Sequence, residues 1–176
     1  MVDPMFDHSE LDELDLRLLT ALQSNARSTF AELAAHVGLK PPAVHERVKR
    51  LEARGYVRGY GARLDAKRLG LGLVAFVSAF TTADVSYERF HETVSALPEV
   101  AEIHSVAGDE SFVLKVVTRS TAHLDAFLSR LKTIPGIART RTTIVLSTPF
   151  ERDGVPLDEL VAGAERPQLH AVGEAS

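Results

Sequence analysis

The stretch from Phe30 to Gly55 decides the fold of the N-terminal third, and it reads FAELAAHVGLKPPAVHERVKRLEARG. Its first part places apolar residues at helical spacing and predicts a short helix that ends at Gly38, a residue that tolerates a positive φ. A second helix is expected to begin at Pro41-Pro42, because the first positions of a helix do not need their N–H groups. That helix ends before Gly55, so the stretch predicts two helices joined by a tight turn.

An earlier helix completes this arrangement. Five leucines recur at helical spacing before the stretch, and they are Leu11, Leu14, Leu18, Leu19 and Leu22. Two short helices packed on an earlier helix form a helix-turn-helix, a common DNA-binding motif. The segment from Tyr56 to Leu64 alternates loosely around two glycines and predicts a short wing or hairpin, so we expect a winged helix-turn-helix domain over residues 11–64.

The helix that starts at Pro41 has the features of a recognition helix. Its apolar residues fall within one narrow sector of a helical wheel, and they are Val44, Val48 and Leu51. Outward residues near the start of such a helix reach base edges, whereas flanking basic residues hold phosphates. We therefore predict groove contacts from His45 and Lys49 beside the outward Pro42, and backbone contacts from Arg27, Arg50 and Arg54.

Charge is distributed unevenly along the chain. The net charge is −4, yet residues 27–68 hold ten Lys and Arg against four Asp and Glu. The first sixteen residues hold six acids and no Lys or Arg. A basic block within an acidic chain is typical of a phosphate-binding module attached to a domain with another task, although a solvated charged face would look the same.

The rest of the chain predicts one α+β domain over residues 73–150, after a linker at 65–72. The order of apolar runs and helical repeats is βαββαβ, which is the ferredoxin-like unit. Two helices cover only one face of a four-stranded sheet, but the strands are apolar on both faces, and we expect Val77 and Val113 on the outer one. The same sheet from a second copy is the simplest cover, so the sequence predicts a homodimer through the C-terminal sheets.

Composition excludes several classes of protein. There is no cysteine, which removes disulfides and thiol catalysis. No apolar run is long enough for a membrane helix, and the N-terminus has no apolar signal core, so we expect a cytoplasmic protein. No histidine spacing suits a metal and no catalytic motif is present, so we expect neither an enzyme nor a cofactor. Residues 1–10 and 151–176 are expected to be mobile extensions.

The stretch from Leu11 to Gly70 resembles the Lrp/AsnC (feast/famine) family of transcriptional regulators. The features that carry the resemblance include Glu32-Leu33-Ala34, Val37-Gly38-Leu39 and Arg50-Leu51-Glu52. One departure is Lys40, where the family commonly has a serine cap. The change loses a helix cap but adds a positive charge that faces the phosphates, so Lys40 joins the predicted DNA-binding residues.

The resemblance continues to about Phe150 and implies a small-molecule-binding domain. It implies dimers that often assemble into octamers, with an amino-acid effector bound between dimers. The family pattern has a Gly-x-x-Asp hairpin followed by an aromatic residue, and here Ser111 takes the place of the aspartate. A shifted turn would let Asp109 or Glu110 supply the missing charge instead. The predicted effector-site residues are Gly108, Asp109, Ser111, Thr140 and Thr142.

An alternative keeps every DNA-binding feature. A nucleoid-type architectural protein would compact double-stranded DNA without a working effector site. The ferredoxin-like fold does not decide between these functions, because it hosts sensors and catalysts alike. Binding of an amino acid is the property that separates a regulator from an architectural protein.

Overall fold

We analysed the protein as a computed structural model, which describes residues 11–152, 154–157 and 160. The described residues form two compact units. The helical unit contains residues 11–62 together with the described residues from Arg152 onward, and the sheet unit contains residues 63–151. The tail expected at residues 1–10 lies outside the described residues.

The helical unit contains the expected helix-turn-helix. Its helices are α1 (Glu13–Ser24), α2 (Phe30–Val37) and α3 (Pro41–Ala53). Side chains cap the first two, because Asp12 accepts from the Asp15 N–H and Thr29 accepts from the Glu32 N–H. Gly38 ends α2 at a φ of 73°, the left-handed conformation that favours glycine. The inward residues Val44, Val48 and Leu51 of α3 are all buried, as predicted.

The expected wing is absent. Residues 56–64 contain neither helix nor strand, so the prediction of a short wing or hairpin was wrong. The reason lies in the backbone hydrogen bonds, because the N–H groups of Tyr56 and Val57 both bond back to the Leu51 carbonyl. These bonds close the end of α3 and leave no paired strand to start a hairpin. The domain is therefore a helix-turn-helix without a β-wing in its described residues.

The sheet unit has the predicted βαββαβ order. Its elements are β1 (Leu73–Thr81), α4 (Tyr87–Ser95), β2 (Val100–Ser105), β3 (Phe112–Thr118), α5 (Thr121–Leu131) and β4 (Ile137–Ile144). The strand order is β2-β3-β1-β4, and every neighbouring pair is antiparallel. This topology confirms the ferredoxin-like prediction.

The two faces of the sheet differ in cover. The helices pack on one face, where alternate residues of β1 and β3 are fully buried: Ala75, Val77, Ala79, Phe112, Leu114 and Val116. The other face, which we call the open face, carries Phe76 at 41% exposure and the half-buried Val74, Val113 and Val117. Val113 lies there as expected. Val77 does not, because it alternates with Phe76 and so faces the helices.

The chain returns to the helical unit after the sheet. Leu157 is buried, and the Val155 N–H donates to the Gln23 side chain at 2.9 Å. The expectation of a mobile extension from residue 151 therefore does not hold for these residues. An apolar side chain and a pair of long-range hydrogen bonds fix them. The remaining residues of the expected extension, which are 153, 158, 159 and 161–176, lie outside the described ones.

Candidate nucleic-acid interface and effector site

The outward side of α3 is accessible. Pro42, His45 and Lys49 are all exposed, and the His45 ring meets the edge of the Phe30 ring with centroids 4.9 Å apart. This ring contact holds His45 beside α2 while its side chain stays 52% exposed. Both predicted base-contact residues therefore lie on an open surface of the predicted recognition helix.

The first turn of α3 offers few free N–H donors to a ligand. Lys40 occupies the N-cap position in an extended conformation and makes no side-chain cap bond, as its difference from a serine cap predicted. The two prolines that follow have no N–H, and the Ala43 and Val44 N–H groups both bond to the Lys40 carbonyl. A phosphate at this end would therefore be attracted by the Lys40 ammonium rather than by backbone N–H groups.

Two arginines of α3 form ion pairs with aspartates at the start of α1. Asp15 is 1% exposed, and it accepts from Arg47 Nη1 at 2.7 Å and from Arg50 Nη2 at 3.0 Å. Arg47 Nη1 also donates to Asp12 at 2.6 Å. Two carboxylates and two guanidinium groups thus balance at the α1–α3 contact. We call these four residues the α1–α3 charge cluster.

The hydrogen bonds of the cluster shift the pKa values of Asp12 and Arg47. Burial alone would raise the pKa of Asp12, but the hydrogen bonds from the Asp15 N–H and from Arg47 outweigh it and hold this pKa below its ordinary value. The hydrogen bonds to Asp12 and Asp15 raise the pKa of Arg47 further. Asp12 and Arg47 therefore stay ionised near neutral pH.

The cluster bears on the predicted role of Arg50. That side chain was expected to hold a phosphate, but its guanidinium lies against both oxygens of Asp15. The sequence analysis missed Asp12 and Asp15 as functional residues. A signal was present, because two acids three residues apart on α1 match two arginines three residues apart on α3.

Two more predicted phosphate contacts lie at the ends of the helices. Arg27 follows α1 and is exposed, and its backbone N–H donates to the Asn25 side chain at 3.1 Å. Arg54 is the C-cap residue of α3, and its guanidinium lies 5.3 Å from the centre of the Tyr56 ring. Both positive charges lie in the helical unit, where the basic block of the sequence predicted them.

The predicted effector residues of the β2–β3 connection lie close together. Gly108 and Asp109 are exposed between the strands. Ser111 is half-buried, and its hydroxyl lies 2.7 Å from the Thr81 hydroxyl and accepts from the Thr81 N–H at 3.3 Å. The Ser111 oxygen is therefore already engaged within the fold, whereas Asp109 presents its carboxylate on the surface.

Thr140 and Thr142 lie on another strand. They pair with Ala79 and Val77 of β1, so both lie on the helix-covered side of the edge strand β4 and are half-buried. β1 separates β4 from β3, and two inter-strand spacings amount to about 10 Å. One copy of the chain therefore does not bring the threonines together with Ser111.

The open face holds two arginines that the sequence analysis left out. The Arg139 guanidinium lies 3.8 Å from the centre of the Phe80 ring. Arg141 donates to Glu110 at 3.3 Å, and Glu110 also accepts from the Ser78 hydroxyl at 3.4 Å. Alternation along β4 places both arginines on one face, but which neighbours they meet depends on the strand register, which the sequence does not state.

Comparison with known proteins identifies the family. A family model described as the AsnC-type helix-turn-helix domain matches residues 11–52, and one described as the Lrp/AsnC ligand binding domain matches residues 74–155. The transcriptional regulator LrpA of Mycobacterium tuberculosis is 40% identical over 148 residues, which cover 83% of this chain and 97% of LrpA. The chain belongs to the Lrp/AsnC family. The Bkd operon transcriptional regulator of Pseudomonas aeruginosa is 36% identical over 152 residues, which cover 85% of this chain and 99% of that regulator.

Solved structures of Lrp/AsnC proteins have the same fold. A transcriptional regulator of Neisseria meningitidis in complex with L-Met superimposes with a TM-score of 0.80 at 29% identity, over 85% of this chain and 99% of that one. LrpA of M. tuberculosis superimposes with a TM-score of 0.73 at 37% identity, over 83% of this chain and 100% of that one. These matches confirm the family and the α+β fold that the sequence predicted.

Within the described residues, no group of three or more His, Asp and Glu side chains is arranged to hold a metal ion. No helix of the described part of the chain is long and apolar enough to cross a membrane.

Proposed function

We propose that this protein is a transcriptional regulator that binds double-stranded DNA through α3 and responds to an amino acid bound by its sheet unit. One observation supports the proposal most strongly. The helix α3 exposes His45 and Lys49 on one side, while Arg47 and Arg50 on another side are bound to a buried aspartate. A recognition helix needs this combination of an open polar side and a fixed orientation.

We assign the DNA contacts accordingly. His45 and Lys49, beside Pro42, are the proposed base contacts, because they are exposed near the N-terminal part of α3. Lys40, Arg27 and Arg54 are the proposed phosphate contacts, because each carries a positive charge at an exposed helix end. We assign Arg50 to positioning α3 rather than to binding phosphate.

The proposed effector is a free amino acid. The solved relative in complex with L-Met supports this class of ligand. An α-ammonium group needs acceptors, and a carboxylate forms the stronger charge-assisted bond. Asp109 is a better candidate than Ser111 for this bond, since the Ser111 hydroxyl already pairs with Thr81. Gly108 provides space beside it.

Assembly is part of the proposal. The open face is apolar enough to bind the same face of a second copy, which gives a homodimer with two recognition helices. Because β1 separates Ser111 from Thr140 and Thr142, we place the effector between dimers, where different copies supply the two sets of residues. This arrangement requires an assembly larger than a dimer, up to an octamer.

Two measurements on the full chain test the proposal. Calorimetric titration with the twenty L-amino acids should find at least one that binds, and Asp109→Asn should weaken that binding about tenfold or more, as loss of a charge-assisted bond implies. Asp125→Asn removes an exposed acid from α5 and is the matched control. Fluorescence anisotropy on DNA from upstream of the gene should then show an affinity or an assembly state that changes with this amino acid.

The architectural alternative predicts a different result. DNA binding would persist with steep salt dependence, but no amino acid at millimolar concentration would bind or change the oligomer distribution. That outcome would reject the effector part of the proposal and retain the DNA-binding part.

A further inference from the structure

The C-terminal residues that return to the helical unit make a specific contact with α1. The Gln23 side-chain amide donates to the Val155 carbonyl at 2.9 Å and accepts from the Val155 N–H at 2.9 Å. The same residue thus satisfies both backbone groups of Val155, as a neighbouring strand would. A contact through both atoms of an amide is sensitive to position, since a shift of about 1 Å breaks both bonds.

Gly154 is fitted to this contact in two ways. Its φ is +99°, a conformation that residues with a side chain rarely adopt. A Cβ at this position would also overlap the Gln23 side chain. Both requirements exclude other residues for as long as the segment lies against Gln23. A segment without a fixed position would not place its glycine under such limits.

An apolar groove lies beside the same contact. It encloses about 380 Å³ and is lined by α1 and by the segment after α3, including Leu11, Leu19, Leu22 and Tyr60. Leu157 and Leu160 line it from the C-terminal side, and Leu157 is only 9% exposed. We call Gly154–Leu157 and Leu160 the C-terminal strap. Leu157 buries apolar surface that the helices alone leave open, and Leu160, at 39% exposure, forms part of the wall of the groove.

The strap lies at the edge of what the family shares. The ligand-binding family model ends at residue 155, so Leu157 and Leu160 lie beyond it. LrpA of M. tuberculosis is matched over 97% of its length, yet that match covers only 83% of this chain. This chain therefore carries residues that such a relative lacks.

We propose that the C-terminal strap is a built-in wall of the groove on the helical unit and stabilises α1. It attaches the chain beyond the sheet unit to α1, so the sheet unit is connected to the helical unit at both of its ends, before residue 63 and after residue 151. The same helix carries Asp15, which holds Arg47 and Arg50 of α3. The strap thus stabilises the helix on which the recognition helix is mounted.

Hydrogen exchange of the full-length protein tests this proposal. Deleting residues 153–176 should speed amide exchange in α1 about tenfold or more, because local opening would no longer break the strap contacts. Exchange in α5 of the sheet unit should not change. Deleting only residues 167–176 keeps the strap and is the matched control, with exchange in α1 equal to that of the wild type.

Point variants separate the strap from the length of the tail. Gly154→Ala should speed α1 exchange in the same direction as the deletion, and Leu157→Ser should do so by removing the buried side chain. Binding of a hydrophobic dye should increase in both variants, because apolar surface that the strap buries becomes exposed. Unchanged α1 exchange in the deletion and in Gly154→Ala would overturn the proposal. Equal acceleration by the control deletion would overturn it as well, since the effect would then not depend on the strap.

Discussion

The α1–α3 charge cluster and the open face of the sheet differ in how completely one copy of the chain provides their interaction partners. At the cluster, Asp15 is 1% exposed and both arginines of α3 find a carboxylate within the same chain. On the open face, Phe76 is 41% exposed and the neighbouring valines are only half-buried. One region is therefore complete in a single copy, and the other has apolar surface that a single copy leaves in contact with water.

The difference indicates how the two tasks are divided. The orientation of the recognition helix depends on contacts within one chain, so each copy can present α3 by itself. In the proposed function, sensing uses surfaces that one copy does not complete, so the proposal requires assembly. The predictions below change one region at a time and compare the consequences.

The largest effect is expected from the buried carboxylate. Asp15→Ala removes the buried carboxylate that accepts from Arg47 and Arg50, and the loss of two hydrogen bonds to charged groups costs about 3 kcal/mol of unfolding free energy. Urea denaturation measures the change. Glu13→Ala, an exposed position in the same turn of α1, should change stability by less than about 0.5 kcal/mol. Similar losses of stability for both variants would contradict a stabilising role for the Asp15 carboxylate.

The next effect concerns the open face. Val113→Glu places a charge at the proposed dimer contact and should weaken self-association about 100-fold, or roughly 2.8 kcal/mol. Sedimentation velocity over a range of micromolar concentrations measures it. Thr121→Glu adds the same charge at the exposed start of α5 and should leave the dimer intact. A wild-type protein that is monomeric and folded at these concentrations would contradict the proposed assembly.

A smaller effect is expected at the DNA surface. Lys49→Ala should reduce discrimination between the operator and a base-substituted operator by about 1–3 kcal/mol, because a side chain that reads a base edge contributes to specificity. Arg54→Ala should weaken binding to both DNA fragments equally. Anisotropy titrations with the two fragments give both values. If Lys49→Ala lowers both affinities by the same factor, Lys49 contacts the backbone instead.

The smallest effect is a pH dependence. The pKa of Asp12 lies below its ordinary value of 3.8 in the folded protein, so its stabilising contribution is present above that value and is lost as the pH falls through the folded pKa. Asp12→Asn should therefore cost less than about 1 kcal/mol at pH 7, since its side chain is half exposed, and the difference from wild type should shrink as the pH is lowered below 3.8. Urea denaturation over this pH range measures this. A difference that grows on acidification would contradict the assignment.

Apolar periodicity made most of the fold predictable. The spacing of Val44, Val48 and Leu51 predicted which side of α3 is buried, and the alternation in β3 predicted two faces of the sheet. Which face of β1 packs against the helices was not predictable, because both faces of the strand are apolar. This ambiguity led to the wrong placement of Val77.

The site was only partly predictable for a related reason. Exposed residues such as Lys49 follow from the helical wheel, but the pairing of Arg50 with Asp15 depends on how α1 and α3 cross. The strap was harder to predict from the sequence. Its residues include Gly154 and Pro156, which favour a loop in any sequence analysis, and its partner Gln23 lies 132 positions from Val155. The prediction of a wing was wrong because local hydrogen bonds at the end of α3 leave no paired strand.

The salt dependence of DNA binding tests most directly the claim that the fold separates the cations that position α3 from those that bind DNA. The logarithm of the binding constant is measured against the logarithm of salt concentration, between about 50 and 200 mM, for the wild type, Arg27→Ala and Arg50→Ala. A lost phosphate contact makes the slope shallower by about 1. We predict that change for Arg27→Ala and an unchanged slope for Arg50→Ala. A slope equally shallow in Arg50→Ala would show that Arg50 binds phosphate and would contradict the account.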